Sequence, residues 1–258
     1  YSLIASDESS CLLEYDFIIE EPPLLQIDSI IVIPPSCNSS DDASLEILVS
    51  GGSQPYNYFI PGLGSSTEGI FTNIDAGAYY ISITDQNGCN KSQIQIISDP
   101  EVYELGLTAL APPLCHGDST AVVVLQSSGG NGSAVYGLSW VETSPDNVFD
   151  DLTAGLNTFY GIDTLGCRDS LTVFIPSTEP LVFDASIHNA TCYELDNGWV
   201  QFAASGGVGG YQYSIDDIQW NTSGNFSGLG SGFYDFILQD ANECLKDTTL
   251  FIGNNRLK

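Results

Sequence analysis

Seven cysteines, at positions 11, 37, 89, 115, 167, 192 and 244, constrain this chain more than any other feature, because the steps between them run 26, 52, 26, 52, 25 and 52. That alternation marks an internal repeat of 77 to 78 residues, and a repeat has to be recognised before any motif is read. Aligning the copies on Cys37, Cys115 and Cys192 brings a Ser-Gly-Gly into register: Ser50-Gly51-Gly52, Ser128-Gly129-Gly130 and Ser205-Gly206-Gly207. A phenylalanine (Phe71, Phe149, Phe226), an aliphatic residue (Ile74, Leu152, Leu229) and a glycine (Gly77, Gly155, Gly232) follow at fixed intervals. An aspartate stands four residues before each second cysteine: Asp85, Asp163 and Asp240. Tyr1 and Asp7 precede Cys11 as Tyr79 and Asp85 precede Cys89. The chain is therefore expected to open in the last third of a further repeat.

The local patterns are those of strands. Leu45 to Ser50 and Val122 to Ser127 are extended runs that stop at Gly-Gly, where the backbone needs freedom to turn. Pro55 to Ile60 and Tyr211 to Ile215 restart an extended run, and Tyr79, Ile81, Ile83 alternate as Tyr234, Phe236, Leu238 do. The middle copy reads Asn157, Phe159, Gly161, so a register slip or bulge is expected there. Asp85-Gln86-Asn87-Gly88 is a hairpin turn, because Asn-Gly readily takes a positive φ. About seven short strands per copy, with an aromatic residue near the expected corner between two late strands, match an immunoglobulin-like sandwich. The expected fold is all-β, with tandem immunoglobulin-like β-sandwich repeats arranged end to end. Proline-bearing links at Glu21-Pro22-Pro23, Asp99-Pro100-Glu101 and Thr178-Glu179-Pro180 set the boundaries. Residues 1–22 form the C-terminal hairpin of a preceding partial repeat, and 23–99, 100–178 and 179–258 are three immunoglobulin-like repeats.

Charge narrows the partners. Five basic residues face 33 carboxylates, for a net charge of -28. Such a surface repels phosphate, so neither nucleic acid nor an anionic membrane is an expected partner, and no stretch of about 18 apolar residues is present to span a bilayer. The first residue is not Met and no basic, apolar leader opens the chain. The expectation is a mature or interior piece whose signal peptide lies elsewhere.

Together these landmarks resemble the SprB-type repeats of Bacteroidetes gliding adhesins and related very large surface proteins. The first full copy carries the resemblance best, through Gly51-Gly52, Pro55-Tyr56-Asn57-Tyr58, Ile74 to Tyr79 and Thr84-Asp85-Gln86-Asn87-Gly88-Cys89. The second departs at Ser133-Ala134 and at Asp163-Thr164-Leu165-Gly166-Cys167, and the third reads Gly210-Tyr211 and ends on Asn242-Glu243-Cys244. The resemblance covers almost the whole chain. It implies an extracellular or cell-surface location, export by the type IX route, a link to gliding motility and repetition well beyond this segment.

Residues that carry chemistry are sparse, and neither a catalytic set nor a cofactor site is expected. His116 and His188 are the only histidines, fall in different copies and have no second ligand at a useful spacing. Asp41-Asp42, Asp150-Asp151 and Asp216-Asp217 occupy different positions within their copies, so no shared site follows from them. Asp85, Asp163 and Asp240 recur. They are turn residues on the plain reading and weak calcium candidates on the other. Lys91, Arg168 and Lys246 each follow a second cysteine and neutralise the acidic turn beside it. Asp-Ser/Thr followed by an apolar residue, an O-glycan signal if the resemblance holds, places glycosylation candidates at Ser29, Thr164 and Ser170.

Two schemes compete for the cysteines, both in an oxidising compartment. The common spacing of 52 favours pairing within a repeat: Cys37–Cys89, Cys115–Cys167 and Cys192–Cys244, each loop stabilising its domain by about 4 kcal/mol. Sandwich topology objects, because the two cysteines of one copy then lie at opposite ends. The alternative pairs Cys37 with Cys167 and Cys115 with Cys244, from one repeat to the next. Cys11 takes a partner outside this segment.

The leading functional reading is a structural and adhesive repeat segment of a long cell-surface fibre or adhesin stalk, whose partners are further copies of the repeat in the same or neighbouring chains. The alternative is a carbohydrate-binding array, or a non-catalytic appendage of a secreted glycan-degrading protein. Surface glycans would be its ligands, and Trp140, Trp199 and Trp220 its candidate contacts.

Overall fold

A computed structural model describes residues 1–191 and 195–254. The chain opens with β1 (Ser2–Ser6) and β2 (Leu12–Asp16), a hairpin paired from Ser2↔Asp16 to Ser6↔Leu12. Then come β3 (Gln26–Ile33), β4 (Ala43–Ser50), β5 (Asn57–Ile60), β6 (Gly64–Ser66), β7 (Ile70–Ile74), β8 (Gly77–Thr84) and β9 (Asn90–Ile97). A second set follows: β10 (Glu104–Ala111), β11 (Ala121–Ser128), β12 (Val135–Gly137), β13 (Thr143–Ser144), β14 (Val148–Leu152), β15 (Gly155–Ile162) and β16 (Arg168–Ile175). The third comprises β17 (Val182–His188), β18 (Gly198–Ser205), β19 (Gln212–Ser214), β20 (Asn225–Leu229), β21 (Gly232–Gln239) and β22 (Leu245–Ile252). Among the described residues there is no helix.

Each set builds two antiparallel sheets with one topology. The orders are β3-β4-β7 with β6-β5-β8-β9, then β10-β11-β14 with β13-β12-β15-β16, then β17-β18-β20 with β19-β21-β22. Three strands over four in this order are those of an immunoglobulin-like sandwich. The third set replaces one edge strand by a single bridge, in which Tyr213 and Asn221 exchange backbone hydrogen bonds of 2.8 and 2.9 Å. The chain divides into two compact units. One holds residues 1–103 with 129–132 and 163–167, and the other holds 104–128, 133–162 and 168–258.

Period-2 patterning puts one face of each long strand inward. The inward positions coincide from set to set: Leu45, Val123 and Val200; Ile47, Leu125 and Phe202; Ile81, Phe159 and Phe236; Ile97, Ile175 and Ile252, all almost fully buried. Removing each such side chain from water contributes roughly 1.5–3 kcal/mol. In the middle copy, β15 pairs with β16 without a break from Gly155↔Ile175 to Ile162↔Arg168, with Phe159 fully buried. The register slip expected at Asn157 to Gly161 is thus corrected, because Phe159 keeps the inward phase and Gly161 merely leaves an inward position without a side chain. The corner ahead of this strand also holds. Tyr79 donates its hydroxyl hydrogen to the Asp75 carbonyl (2.9 Å) and Tyr234 to that of Gly230 (3.3 Å), while Asn157 Nδ2 donates to Thr153 (3.1 Å).

The Ser-Gly-Gly turns bring the entering chain close. Both glycines have positive φ in every copy, as at Gly206 (78°) and Gly207 (57°). A Cβ on Gly206 would stand inside contact distance of the Pro180 carbonyl, and the same collision awaits one on Gly51 at Leu24 or on Gly129 at Val102. Strained φ and backbone overlap therefore act together at one residue. Gly206→Ala should destabilise the chain by at least about 2 kcal/mol in urea unfolding, whereas the exposed Gly166→Ala, whose Cβ meets nothing, should cost less.

Candidate functional site

The recurring site is the turn between the last two strands of each copy, and it is built by its aspartate. Asp85 Oδ1 accepts hydrogen bonds from the amides of Asn87 (2.9 Å) and Cys89 (2.8 Å), closing the turn that the short Asx side chain favours. Its Oδ2 accepts the Ser53 amide at 2.9 Å, thirty-two residues back in the Gly-Gly turn. Asp163 holds the amides of Leu165, Cys167 and Asn131 in the same way, at 3.0, 2.8 and 2.6 Å. Asp240 holds those of Asn242, Cys244 and Val208 at 2.9, 3.0 and 3.1 Å. In the opening hairpin Asp7 makes the two local bonds, to Ser9 and Cys11, both 2.9 Å. The three aspartates of the full copies are buried at 3 to 6 % exposure. Both oxygens of each carboxylate thus face N–H donors, the environment of a structural anion.

The Ser53 amide, helped by those of Cys89 and Asn87, holds the Asp85 carboxyl below the usual carboxylate range, against burial, which acts the other way. A folded-state pKa below the unfolded one means stability that is present above about pH 4 and lost as pH falls through the folded value.

Each turn aims a cysteine. Cys37 lies between β3 and β4, at the far end of β4 from Gly51 and hence from the Asp85 turn. Eight residues of strand separate those ends by roughly 26 Å, while a disulfide needs Cα atoms within about 7 Å. The within-repeat scheme is corrected accordingly. Cys37 is bonded to Cys167 and Cys115 to Cys244, each with Cα atoms 5.5 Å apart and 130 or 129 residues apart in sequence. Cys37–Cys89 and Cys115–Cys167 are therefore not formed, and Cys192, whose pairing with Cys244 was the third of that scheme, lies outside the described residues. Cys11 and Cys89 are exposed free thiols. Closing loops this long stabilises the folded chain by about 5 kcal/mol each in loop-closure entropy. Side-chain amides reinforce both joints: Asn131 Nδ2 donates to the Ser36 carbonyl (2.9 Å) and Asn242 Nδ2 to that of Leu114 (3.3 Å). Sequence comparison missed these two asparagines because they sit at different repeat positions. Their shared signal is the carbonyl just before a bonded cysteine.

A groove of about 460 Å³ adjoins the Cys115–Cys244 bond, lined among others by His116, Glu179, Glu243 and Lys246. His116 uses Nδ1–H to donate to the Thr178 carbonyl (2.8 Å), a loop-fixing contact. His188 stacks on Trp199 across β17 and β18, with ring centres 5.5 Å apart. Trp140, in the connection after β12, packs on Tyr160 at 4.5 Å and under the Arg168 guanidinium at 5.4 Å. Trp199 belongs to a strand, Trp140 and the half-buried Trp220 to connections, so the three tryptophans share no common strip position. Among the described residues no three His, Cys, Asp or Glu side chains gather as for a metal ion. Asp85, Asp163 and Asp240 lie in separate turns. Of the glycosylation candidates, Ser29 and Ser170 are exposed on strands, and the Thr164 hydroxyl donates to the Asn131 carbonyl at 2.5 Å. Asp240→Ala leaves three amides without their acceptor and should cost on the order of 3 kcal/mol by chemical denaturation. Acid titration followed by circular dichroism should show stability falling below about pH 4, more shallowly in Asp85→Asn.

A family-level comparison matches residues 29–62 and 185–224 to the SprB repeat. The two matches begin 156 residues apart, two repeat lengths. A search of curated proteins returned no match. Solved structures with similarity include the three N-terminal domains of the bacteriophage RB49 outer capsid protein Hoc (10% identity, 89% of this chain and 96% of that one, TM-score 0.41). Titin domains I67–I69 (12%, 92% and 100%, TM-score 0.36) and Sidekick-1 immunoglobulin domains 1–5 (12%, 98% and 66%, TM-score 0.34) are others. Residues 29–62 and 185–224 thus resemble the SprB repeat, and they lie in an all-β, immunoglobulin-like fold.

Proposed function

We propose that this chain is a structural and adhesive segment of a long extracellular or cell-surface fibre or adhesin stalk, made of a partial repeat (1–22) and three repeats (23–99, 100–178, 179–258). The observation that carries the reading is the pair of disulfides. Each ties the loop ahead of one repeat's second strand to the last turn of the next repeat, so the covalent ties overlap along the chain. A chain under tension gains from that arrangement, because the residues enclosed by the two bonds cannot be drawn out to full length while the bonds hold. Disulfides support an oxidising, extracellular compartment. The net charge of -28 keeps a long polymer soluble. SprB repeats support a surface location, and export by the type IX route, a role in gliding and O-glycans at Ser29 and Ser170 belong to the same proposal.

Carbohydrate binding is the second reading, favoured by the partly exposed Trp140, whose ring contacts Tyr160 at a tilt and lies near the Arg168 guanidinium. The two readings separate on a glycan array. A stalk segment gives no selective signal, and selective binding abolished by Trp140→Ala would replace the stalk by a lectin-like array. Mechanical stretching tests the stalk directly. Because the loops 37–167 and 115–244 overlap, the oxidised chain should extend to about two fifths of its reduced contour length, at about 3.3–3.6 Å per residue. Full extension without reductant would contradict it.

A further inference from the structure

Cys89 occupies the repeat position of Cys167 and Cys244, four residues after the buried aspartate and just before the last strand of its sandwich. Both counterparts are bonded to a loop that precedes the second strand of the repeat before their own. Cys89 is instead exposed and unbonded, although its turn is complete, with Asp85 holding the amides of Ser53, Asn87 and Cys89 as in the bonded copies. The neighbouring donor is also in place. Asn242 gives its side-chain amide to the carbonyl preceding Cys115. Its counterpart Asn87 is exposed, with one amide hydrogen resting on Ser53 Oγ at 2.9 Å. The bonded loops share a chemistry: Pro35-Ser36-Cys37 and Pro113-Leu114-Cys115, with the proline buried. A thiol, a turn that aims it and a donor for the incoming carbonyl therefore stand together in the first copy as they do, occupied, in the third.

We propose that the Asp85–Cys89 turn is a covalent docking site for the cysteine-bearing loop of another repeat. Cys89 forms the disulfide and Asn87 binds the carbonyl before the incoming cysteine. In the exchange step the Cys89 thiolate attacks the incoming cysteine sulfur, which is held as a mixed disulfide. The new S–S bond forms as the old one breaks, and the departing carrier thiolate takes up a proton. The oxidant is that carrier disulfide, of a thiol–disulfide oxidoreductase or an oxidised small thiol. The site goes beyond the stalk reading, because it specifies the partner's chemistry whatever the assembled chain is for.

The probe is a peptide of residues 112–120, activated at Cys115 as its thionitrobenzoate mixed disulfide and offered to the full chain in equimolar competition with glutathione activated in the same way. Mass mapping should find the peptide on Cys89 about tenfold more often than glutathione, the worth of one good hydrogen bond with its apolar contacts. Asn87→Ala should bring that ratio towards one while iodoacetamide alkylates Cys89 at an unchanged rate, and Cys89→Ser should carry neither label at this position. In protein taken from its natural source with thiols blocked before unfolding, Cys89 should be linked to a repeat-loop cysteine. A product with the mass of one chain identifies a loop of the same polypeptide, and one of doubled mass a loop from a second copy. Equal capture of peptide and glutathione, or a freely alkylated Cys89 in the natural protein, would overturn the proposal.

Discussion

One buried carboxylate per repeat organises the rest. Asp85, Asp163 and Asp240 each collect three backbone amides, two from their own turn and one from the Gly-Gly turn thirty-two residues earlier. Each side chain therefore joins the two sheets of its sandwich at one end, where strands would otherwise fray. It also orients the cysteine four residues on. Without that anchor the second cysteine would belong to a mobile hairpin tip, and holding it within reach of a distant loop would cost conformational entropy. Glycine at the Gly-Gly turn follows from the same contact, because the amide reaches the carboxylate only when the turn takes positive φ beneath the entering strand.

Given that frame, the cores tolerate exchange so long as volume is traded locally. Ile81 gives way to Phe159 and Phe236 at one inward position. Beside it Ile83 becomes Gly161 in the middle copy and Leu238 in the last, so a larger ring stands next to an absent side chain. In the third copy Phe202, Phe226 and Phe236 form an aromatic cluster with ring centres 4.8 to 6.1 Å apart. Swaps that conserve total volume are the ones a packed interior accepts at least cost.

Much of this was legible in the sequence because the repeat averages out local noise. Spacing exposed the copies, alternation exposed the inward faces, and the recurrence of Gly-Gly and Asp exposed two turns. What stayed hidden depended on distance through space. Equal spacing of 52 residues favoured Cys37–Cys89 while sandwich topology objected to it, and the length of β4 decides between them by holding its ends too far apart. The middle copy looked irregular at Asn157 because a tyrosine was absent, yet an asparagine side chain reaches the same carbonyl four residues back. The asparagines that secure the disulfide joints could not be aligned, because different positions serve one carbonyl.

The claim on which the account rests is that each covalent tie runs from one repeat to the next. Non-reducing peptide mapping of the oxidised 258-residue chain, with free thiols alkylated first, tests it most directly. The account predicts a linked pair of peptides containing Cys37 and Cys167, a second containing Cys115 and Cys244, and no pair joining Cys37 to Cys89. Recovery of Cys37 bonded to Cys89, or of Cys37 and Cys167 as separate alkylated peptides, would contradict it.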